Sequence, residues 1–430
     1  MNNARAEAVK LLIKTVEEEA YSNLIMDKAL KDSELSVQEK AFCTQLYYGV
    51  MERLLTLKYL LRVYSDKKPE KLDVPVKYIL YTGLYQMKYC DKIPDSAAVN
   101  ESVKLAGYFR KKSASGFINA ILRKFQRAEK KIPLTGDWWQ DMQVRYSAPV
   151  PLLKQITEEH GGQFAEDFFE DSLKPPPCVI RVNPLKADTE ALQELHPEKL
   201  NVLDYAYKIQ AADVRHTEAF RKGLFHVQDT ASQFCCQMIL APEPGETILD
   251  MCAAPGGKSF TIAQIMQNRG NVYAFDLHPH RVKLIQEGAD RLGLTCVHTN
   301  VQNAAQYHQD MPQADRILCD VPCSGLGVIR RKPEIKYKSL ESFTELPEVQ
   351  YQILENSAKY LKPGGILVYS TCTILRRENE EVVQKFLNHH PEFVPVPLKE
   401  FDSESGWITF SPAYAGCDGF FAAKLRRKAE

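Results

Sequence analysis

The chain of 430 residues contains no long hydrophobic run and no C-x-x-C cysteine pair. A membrane-spanning helix needs about 20 mostly apolar residues, so the first absence argues against a transmembrane segment, and the charged amphipathic start does not resemble a secretory signal. The eleven cysteines are odd in number, which together with their spacing disfavours a disulfide framework or a zinc ribbon. We therefore expect a cytoplasmic protein without a metal, in which any functional cysteine acts as a thiol.

The chain also lacks an overall charge, because 55 lysines and arginines balance 55 acidic residues. The balance hides a division: residues 1–131 hold 24 basic and 16 acidic side chains, and the remainder holds 31 and 39. Within residues 100–131, nine side chains are basic and two are acidic. Such a basic stretch attracts phosphate groups, although a solvated helix face without a ligand explains the charge equally well.

Hydrophobic spacing divides the chain into three predicted domains. Residues 1–130 repeat apolar side chains at three- and four-residue intervals, which predicts a helical bundle. Residues 131–225 mix a helical stretch, three consecutive prolines and the strand-like CVIRVN, which predicts a small α+β connector. Residues 226–430 alternate strands with helices, which predicts a mostly parallel α/β sheet followed by two antiparallel strands at an edge.

The segment ILDMCAAPGGKS at 248–259 indicates a cofactor site. An apolar strand runs into small residues and two glycines and then directly into a helix, an arrangement that lets the backbone approach a ligand closely. Its ending is similar to a phosphate-binding P-loop, but that motif requires a glycine where Cys252 stands, so ATP is the minor alternative. We favour a nucleoside pocket, because Asp276 ends the next strand and a carboxylate there can accept both ribose hydroxyls.

Two cysteines follow two later strands. Cys323 lies in the turn after ADRILCD, and Cys372 lies in the TCT segment after GILVY. Because the carboxyl ends of parallel strands meet at one edge of an α/β sheet, we expect both thiols near Asp320 at that edge. A lone cysteine in a strand is more often a core residue, but two at equivalent strand ends favour a reactive site.

Paired thiols suit methylation of a pyrimidine at carbon 5. That carbon is a poor nucleophile until a thiolate adds at carbon 6, an addition that an acid at ring nitrogen 3 assists. A base must afterwards remove the carbon-5 proton so that the thiol can leave. Enzymes that methylate exocyclic amines place an aromatic residue where Cys323 stands, so that chemistry is disfavoured.

These residues resemble a known family. DMCAAPGGKS, FDLHPHR, DVPCSGLGVIRRKPEIKY and YSTCT occur in the order and spacing of the RNA cytosine-5 methyltransferases of the Nol1/NOP2/Sun family. The segments GLYQMKYCDKIPDSAAVNESV and GFINAILRKFQR are similar to the NusB-like helical domain that precedes the catalytic domain in bacterial 16S rRNA methyltransferases of this family. The resemblance implies a NusB-like bundle at 1–130, a connector at 131–225 and a Rossmann-like catalytic domain at 226–430.

The resemblance also implies residue roles. Cys372 is expected to be the nucleophile at carbon 6, Cys323 to assist elimination, and Asp320 to lie between cofactor and cytosine. S-adenosylmethionine is the expected cofactor, and Asp276 is expected to hold its ribose. The residues expected to form its loop are Cys252, Ala253, Ala254, Pro255, Gly256, Gly257 and Lys258. Lys258 has two alternatives, a contact with the substrate or a solvated lysine at a helix start.

One position departs from the family. An acidic residue usually follows the third strand of the sheet and meets the adenine amine, but Val301 stands there. Asn300, Asn303 or a backbone carbonyl are the alternatives, so the contact is left unassigned. The other cysteines are interpreted as core residues and the histidines as turn or surface residues.

The expected partner is 16S rRNA, either free or early in subunit assembly. The protein is expected to act as a monomer and not to bind a membrane. Phosphate contacts are expected from the basic residues Lys111, Lys112, Arg123, Lys124 and Arg181. Two alternatives remain: cytosine-5 methylation of another RNA, and an RNA-binding assembly factor without catalysis. Intact thiols, Asp320 and the glycine loop argue against the second.

Overall fold

A computed structural model describes residues 3–17, 26, 29–31, 33–186, 190–210 and 214–429. The chain forms two compact units. The first comprises Met1–Glu158 and Ile329–Lys338, and the second comprises Glu159–Val328 and Ser339–Glu430. The division into three domains with boundaries at 130 and 225 stays a prediction.

The first unit is helical, as predicted. Its helices are α1 (Ala4–Glu17), α2 (Val37–Glu52), α3 (Leu54–Tyr64), α4 (Val74–Tyr89), α5 (Asp95–Tyr108), α6 (Ser115–Arg127), α7 (Trp138–Tyr146) and α8 (Val150–His160). The last two residues of α8 belong to the second unit. A capping box starts α2: Ser36 accepts from the backbone N–H of Glu39, and the Glu39 carboxylate accepts from the backbone N–H of Ser36.

Helix α4 is the centre of this unit, because most of its side chains are buried. Neighbouring helices approach it closely at two glycines. A Cβ atom on Gly49 of α2 would lie 2.0 Å from the ring of Tyr85. A Cβ atom on Gly83 would lie 2.8 Å from the hydroxyl of Ser102 on α5. Both crossings therefore exclude a larger residue without rearrangement.

A segment from the second half of the chain completes the first unit. Ile329–Lys338 includes a 3₁₀ helix at Pro333–Tyr337. The buried Nζ of Lys336 donates to the carbonyl of Glu52 at 2.9 Å. The hydroxyl of Tyr337 donates to the carbonyl of Met51 at 2.7 Å and lies 3.0 Å from that of Ser147. The segment is thus fixed at the end of α2 by hydrogen bonds to backbone groups that the helix leaves unpaired.

The second unit contains a small antiparallel sheet in the predicted connector. Its strands lie in the order β2-β3-β1-β4. The elements here are α9 (Gly162–Asp171), β1 (Cys178–Val182), β2 (Glu198–Lys199), β3 (Ala206–Ile209), α10 (Glu218–Arg221), β4 (Phe225–Val227), α11 (Thr230–Phe234) and a π-helical turn (Cys235–Leu240). Mixed helix and strand in this region agrees with the expected α+β connector.

The same unit contains the large mixed sheet. Its elements are β5 (Thr247–Asp250), α12 (Gly257–Ile265), β6 (Asn271–Asp276), α13 (Pro279–Leu292), β7 (Val297–Val301), β8 (Ala314–Asp320), α14 (Leu346–Ala358), β9 (Leu361–Thr371), α15 (Glu380–His389), β10 (Phe393–Pro395), β11 (Trp407–Phe410) and β12 (Phe420–Arg427). The order is β10-β12-β9-β8-β5-β6-β7, and β11 pairs with β12.

Strands β5 to β9 run parallel, and β12 pairs antiparallel with β9. The predicted fold class is therefore confirmed, including the two antiparallel strands at the chain end. Buried side chains on the two faces of the sheet form separate hydrophobic clusters, as expected when helices cover both faces. None of the helices among the described residues is both long enough and apolar enough to cross a membrane.

Candidate active site

The sheet order reverses between β5 and β8, and this position locates the candidate site. Strand β5 has β6 on one side and β8 on the other. Open α/β sheets bind ligands outside the carboxyl ends of strands at such a switch point. The loop after β5, Asp276 at the end of β6, Asp320 at the end of β8 and Cys372 just after β9 are all placed at this edge.

The loop after β5 turns tightly at Gly256. This residue has a φ of +108°, which favours glycine, and its N–H donates to the carbonyl of Ala253 at 2.7 Å. A Cβ atom there would lie 2.3 Å from the ring of Phe260. The N–H of Ala253 donates to the carbonyl of Phe275 at 2.7 Å, so the loop is fixed against β6. The expected cofactor loop therefore has a defined shape.

Asp276 is buried at the end of β6, with 4% of the residue exposed. Its carboxylate accepts from the backbone N–H of His278 at 3.1 Å and pairs with Arg281 at 3.2 Å. The same guanidinium donates to the carbonyl of Ala254 at 2.9 Å. Arg281 thus joins the carboxylate to the loop after β5, a link that the sequence interpretation missed although FDLHPHR contains this arginine.

Asp250, the last residue of β5, is a second group that the sequence interpretation missed. Its carboxylate is fully buried and accepts from the hydroxyl of Ser259 at 2.6 Å, and burial raises its pKa to about 7. Its Oδ1 atom has no hydrogen-bond partner among the described residues. A buried, unpartnered oxygen beside the loop is a place where a ligand can donate a hydrogen bond. The signal was available, because Asp250 directly precedes the glycine-rich turn.

Asp320 lies in a network with two other side chains. Its Oδ2 accepts from Nζ of Lys258 at 2.8 Å, and its Oδ1 accepts from the hydroxyl of Ser370 at 2.8 Å. The carboxylate raises the pKa of Lys258, although burial alone would lower it. Lys258 is therefore a cation paired with Asp320, which excludes the solvated alternative.

The two cysteines meet as expected from their strand ends. The Sγ atoms of Cys323 and Cys372 lie 3.2 Å apart, and both residues are partly exposed. The neighbouring thiol and burial raise the pKa of Cys323 well above its usual value. A pair of thiols so close together shares protons, because a thiolate on one sulfur is stabilised by the S–H of the other and disfavours a second thiolate.

Glu378 joins the two turns that carry these cysteines, and sequence analysis did not single it out. Its buried carboxylate accepts from the backbone N–H of Ser324 at 2.9 Å and from Nε2 of Gln350 at 2.9 Å. The hydroxyls of Ser324 and Thr373 lie 2.8 Å apart. A hydrophobicity pattern could not reveal this residue, because it lies in a charged RREN sequence that is typical of a surface turn.

Val301, at the position where the resemblance leads us to expect an acidic residue, lies beside Asp276 in the sheet. Val301 pairs with Asp276 in the register of β6 and β7 and has 52% of its surface exposed. Asn303 uses its side-chain oxygen to accept from the backbone N–H of Ala305 at 3.1 Å. Val301 is therefore an apolar neighbour of Asp276, and the residue that pairs with Asp276 in β7 is not acidic.

The basic residues expected to bind RNA lie in two different places. In the first unit, Lys112 is exposed, Lys111 pairs with Asp73 at 2.5 Å, and Lys124 is 3.9 Å from Asp66. Arg123 donates to Gln126 at 2.9 Å. Arg181, in contrast, is a buried residue of β1 in the second unit. The remaining cysteines are buried, apart from the half-buried Cys178 and Cys252.

Comparisons with known proteins agree with this architecture. A family described as 16S rRNA methyltransferase RsmB/F matches residues 237–426, and the NusB family matches residues 2–127. The probable ribosomal RNA small subunit methyltransferase B of Bacillus subtilis is 38% identical over 99% of each chain. The corresponding protein of Synechocystis is 34% identical over 99% of this chain and 100% of that one. The crystal structure of PH0851 has a TM-score of 0.81 and 27% identity and covers 99% of each chain.

The fold and the site thus define a methyltransferase in which a NusB-type helical domain precedes a Rossmann-like catalytic sheet. Within this class, the chain belongs to the ribosomal RNA small subunit methyltransferase B family. The resemblance and the fold class expected from the sequence are both confirmed. S-adenosylmethionine, the expected cofactor, is the methyl donor of this class.

Proposed function

We propose that this protein methylates carbon 5 of a cytosine in 16S rRNA through a covalent adduct between Cys372 and carbon 6. The observation that carries the proposal is the 3.2 Å approach of Cys323 and Cys372 beside the Asp320–Lys258 pair. Methylation of an amine or a hydroxyl group has no use for two thiols. Carbon-5 methylation needs a nucleophile to add and a base to restore the ring.

The residues around the loop after β5 fit S-adenosylmethionine. The Asp276 carboxylate suits ribose hydroxyls, and the unpartnered Oδ1 of Asp250 can accept a further hydrogen bond from the ligand. Val301 offers an apolar surface beside Asp276 for the adenine ring. When bound, S-adenosylmethionine supplies an electrophilic methyl group. The chain's own residues hold the cytosine and move its protons.

Cys372 begins the reaction as a thiolate. Its sulfur forms a bond to carbon 6, and the electron pair displaced from the ring is stabilised by a proton or hydrogen bond at nitrogen 3. Lys258 is the charged group placed to supply it, because it remains protonated, and the Asp320 carboxylate holds its ammonium group through a hydrogen bond. Ser370 holds the second oxygen of that carboxylate and fixes its direction.

Cys323 completes the reaction as a base. In the resting pair its pKa is raised by the neighbouring thiol. Once Cys372 is bound to carbon 6 as a thioether, it can no longer compete as an anion, so a thiolate at Cys323 becomes easier to form. Cys323 loses its own proton to solvent, and the resulting thiolate takes the carbon-5 proton. The electron pair of that carbon–hydrogen bond restores the double bond between carbons 5 and 6, the carbon–sulfur bond breaks, and Cys372 leaves as a thiolate.

Basic side chains of the first unit would hold the RNA backbone. Lys111, Lys112, Arg123 and Lys124 belong to a stretch rich in positive charge, and Lys112 is exposed. Relatives in this family are named for the small-subunit ribosomal RNA, which supports 16S rRNA over another RNA as the substrate. We propose a monomer that acts on RNA that is free or early in subunit assembly.

Bisulfite sequencing of 16S rRNA tests the proposal, because 5-methylcytosine resists conversion. Cells that lack the gene are compared with cells complemented by the wild type, by Cys372→Ala or by the matched control Cys178→Ala. We expect one cytosine to be protected in the wild type and the control, and the same cytosine to be converted in the deletion and in Cys372→Ala. An unchanged pattern in the deletion would refute 16S rRNA as the substrate.

A further inference from the structure

A second pocket lies in the second unit, beside the end of α12 that is remote from the cofactor loop. Its volume is about 460 Å³, which is within the range of small-ligand sites. Arg181, Asp204, Tyr205, Gln237 and Gln264 line it, together with Leu185. Gln264 is seven residues along α12 from Gly257, which is roughly 10 Å of helix, so this pocket is separate from the cofactor loop.

Arg181 is the charged group of this pocket, and only 2% of it is exposed. Its Nε donates to Oε1 of Gln264 at 3.1 Å, and its Nη1 donates to the carbonyl of Asp204 at 3.0 Å and to Oε1 of Gln237 at 3.2 Å. Nη2 has no hydrogen-bond partner among the residues that the structure describes, and the nearby Asp204 carboxylate accepts from Gln237. A buried cation with an unused donor is costly unless a ligand or water accepts from it.

Gln264 provides a second unused donor. The residue is 2% exposed, and its Nε2 lacks a hydrogen-bond partner in the described part of the chain. Its orientation is fixed, because a guanidinium only donates and the amide must therefore turn its oxygen toward Arg181. Two residues that line the pocket, Arg181 and Gln264, thus each have a donor without an acceptor among the described residues.

The rim of the pocket adds an aromatic ring and a carboxylate. Tyr205 is 43% exposed and has a φ of +62°, a left-handed conformation that is uncommon for a residue with a Cβ atom. Its ring centre is 5.7 Å from Cζ of Arg181. The exposed Asp204 carboxylate accepts from Nε2 of Gln237 at 3.2 Å and keeps further lone pairs for a ligand.

We propose that this pocket binds a guanine base of the RNA substrate. Guanine carries two acceptors, O6 and N7, on one edge, which suit Nη2 of Arg181 and Nε2 of Gln264. Its N1–H and N2–H₂ groups are donors that suit the Asp204 carboxylate. Tyr205 supplies a face on which the base can stack. The assignment of the guanine to RNA rests on the proposed function, whereas recognition of the base can be measured by itself.

Other ligands fit this set of groups less well. A phosphate group would meet the negative charge of Asp204 and make no use of the aromatic face. Adenine has an amine where guanine has O6, so it would place one donor against a donor of the pocket and offer only N7 as an acceptor. Pyrimidines lack the N7 acceptor.

The test uses the full chain with saturating S-adenosylhomocysteine, so that the cofactor site is closed to nucleosides. Fluorescein-labelled r(UUGUU) and r(UUAUU) are titrated by fluorescence anisotropy. Neither contains cytosine, so binding is independent of methylation, and a failure here is distinguishable from a failure of the proposed reaction in the bisulfite assay. We expect r(UUGUU) to bind the wild type about tenfold more tightly than r(UUAUU).

Two variants report on the pocket directly. Gln264→Glu keeps an oxygen for Arg181 but replaces the N–H donor with a carboxylate oxygen, so we expect the guanine preference to disappear while the melting temperature is maintained. Tyr205→Ala should weaken r(UUGUU) binding about five- to hundredfold, because stacking is lost. Tyr307→Ala, which changes another exposed tyrosine, should leave binding unchanged. Equal binding of the two oligonucleotides by the wild type, or a preserved preference in Gln264→Glu, would overturn the proposal.

Discussion

The Sγ atoms of Cys323 and Cys372 lie 3.2 Å apart, although the two residues follow different strands and are 49 positions apart in the chain. The parallel pairing of β8 with β9 creates this approach, because Asp320 lies opposite Ser370 in the register and the two turns begin side by side. The sheet therefore places both thiols at one point of its edge, where one substrate group can contact both of them.

The pair of thiols predicts opposite results for two substitutions. Cys323→Ala removes the proposed base but keeps the nucleophile, so a covalent protein–RNA adduct should accumulate. Cys372→Ala removes the nucleophile, so no adduct should form and methylation should fall below detection. Denaturing gel electrophoresis of the enzyme with labelled 16S rRNA and S-adenosylmethionine measures the adduct.

The double variant Cys323→Ala/Cys372→Ala should form no adduct, and Cys178→Ala should behave like the wild type. If Cys372→Ala formed as much adduct as Cys323→Ala, the roles assigned to the two cysteines would be wrong.

The Asp320 carboxylate predicts a large loss of activity on neutralisation. Asp320→Asn keeps the shape of the side chain but leaves the half-buried Lys258 without its partner and turns one accepting oxygen into a donor. Removing one preorganised charged group from an active site typically costs about 100- to 1000-fold in rate. Single-turnover methylation of 16S rRNA measures the effect.

Asp315→Asn is the matched control, because Asp315 lies near the other end of β8 and pairs with Lys362 at 2.7 Å. It should retain activity within a few-fold of the wild type. Activity of Asp320→Asn at the level of this control would exclude a role for the Asp320 charge in the reaction.

Glu378 predicts a coupled loss of stability and activity. Glu378→Ala leaves the N–H of Ser324 and Nε2 of Gln350 without their acceptor in a buried place, so the free energy of unfolding should fall by about 2 kcal/mol or more. Methylation should fall as well, since the turns that carry both cysteines lose their common partner. Urea unfolding and the methylation assay measure the two effects.

Glu378→Gln keeps one carbonyl oxygen for the N–H of Ser324 and should lose less stability than Glu378→Ala. The exposed Glu381 is the control, and Glu381→Ala should change neither quantity. A fully stable and active Glu378→Ala would show that the turns hold their positions without this carboxylate.

Much of the architecture could be predicted because it depends on periodic local signals. The strands around ILDM, NVYAFD and ADRILCD have apolar cores, and the placement of Cys323 and Cys372 follows from where their strands end. Glu378 could not be assigned in this way, because its role depends on partners that tertiary packing brings close. Arg181 was grouped with surface cations, but the small sheet buries it against α12. Sequence distance likewise hides that Ile329–Lys338 packs within the helical unit.

Lys336 predicts that the stability of the first unit increases with pH. Burial lowers the pKa of its ammonium group to about 7 in the folded chain, against about 10.4 in the unfolded chain. Between these values the unfolded state binds more protons than the folded state, so the free energy of unfolding rises with pH.

The gain is at most about 1.4 kcal/mol per pH unit, starts near pH 7 and ends near pH 10.4. Below pH 7 the lysine is charged in both states and contributes no slope. Urea unfolding of the wild type and Lys336→Met is compared at pH 7, 8 and 9, because the titrating groups that do not interact with Lys336 are common to both proteins. We expect the wild type to gain stability relative to Lys336→Met across this range. A constant difference between the two proteins from pH 7 to pH 9 would mean that Lys336 does not change its protonation on folding.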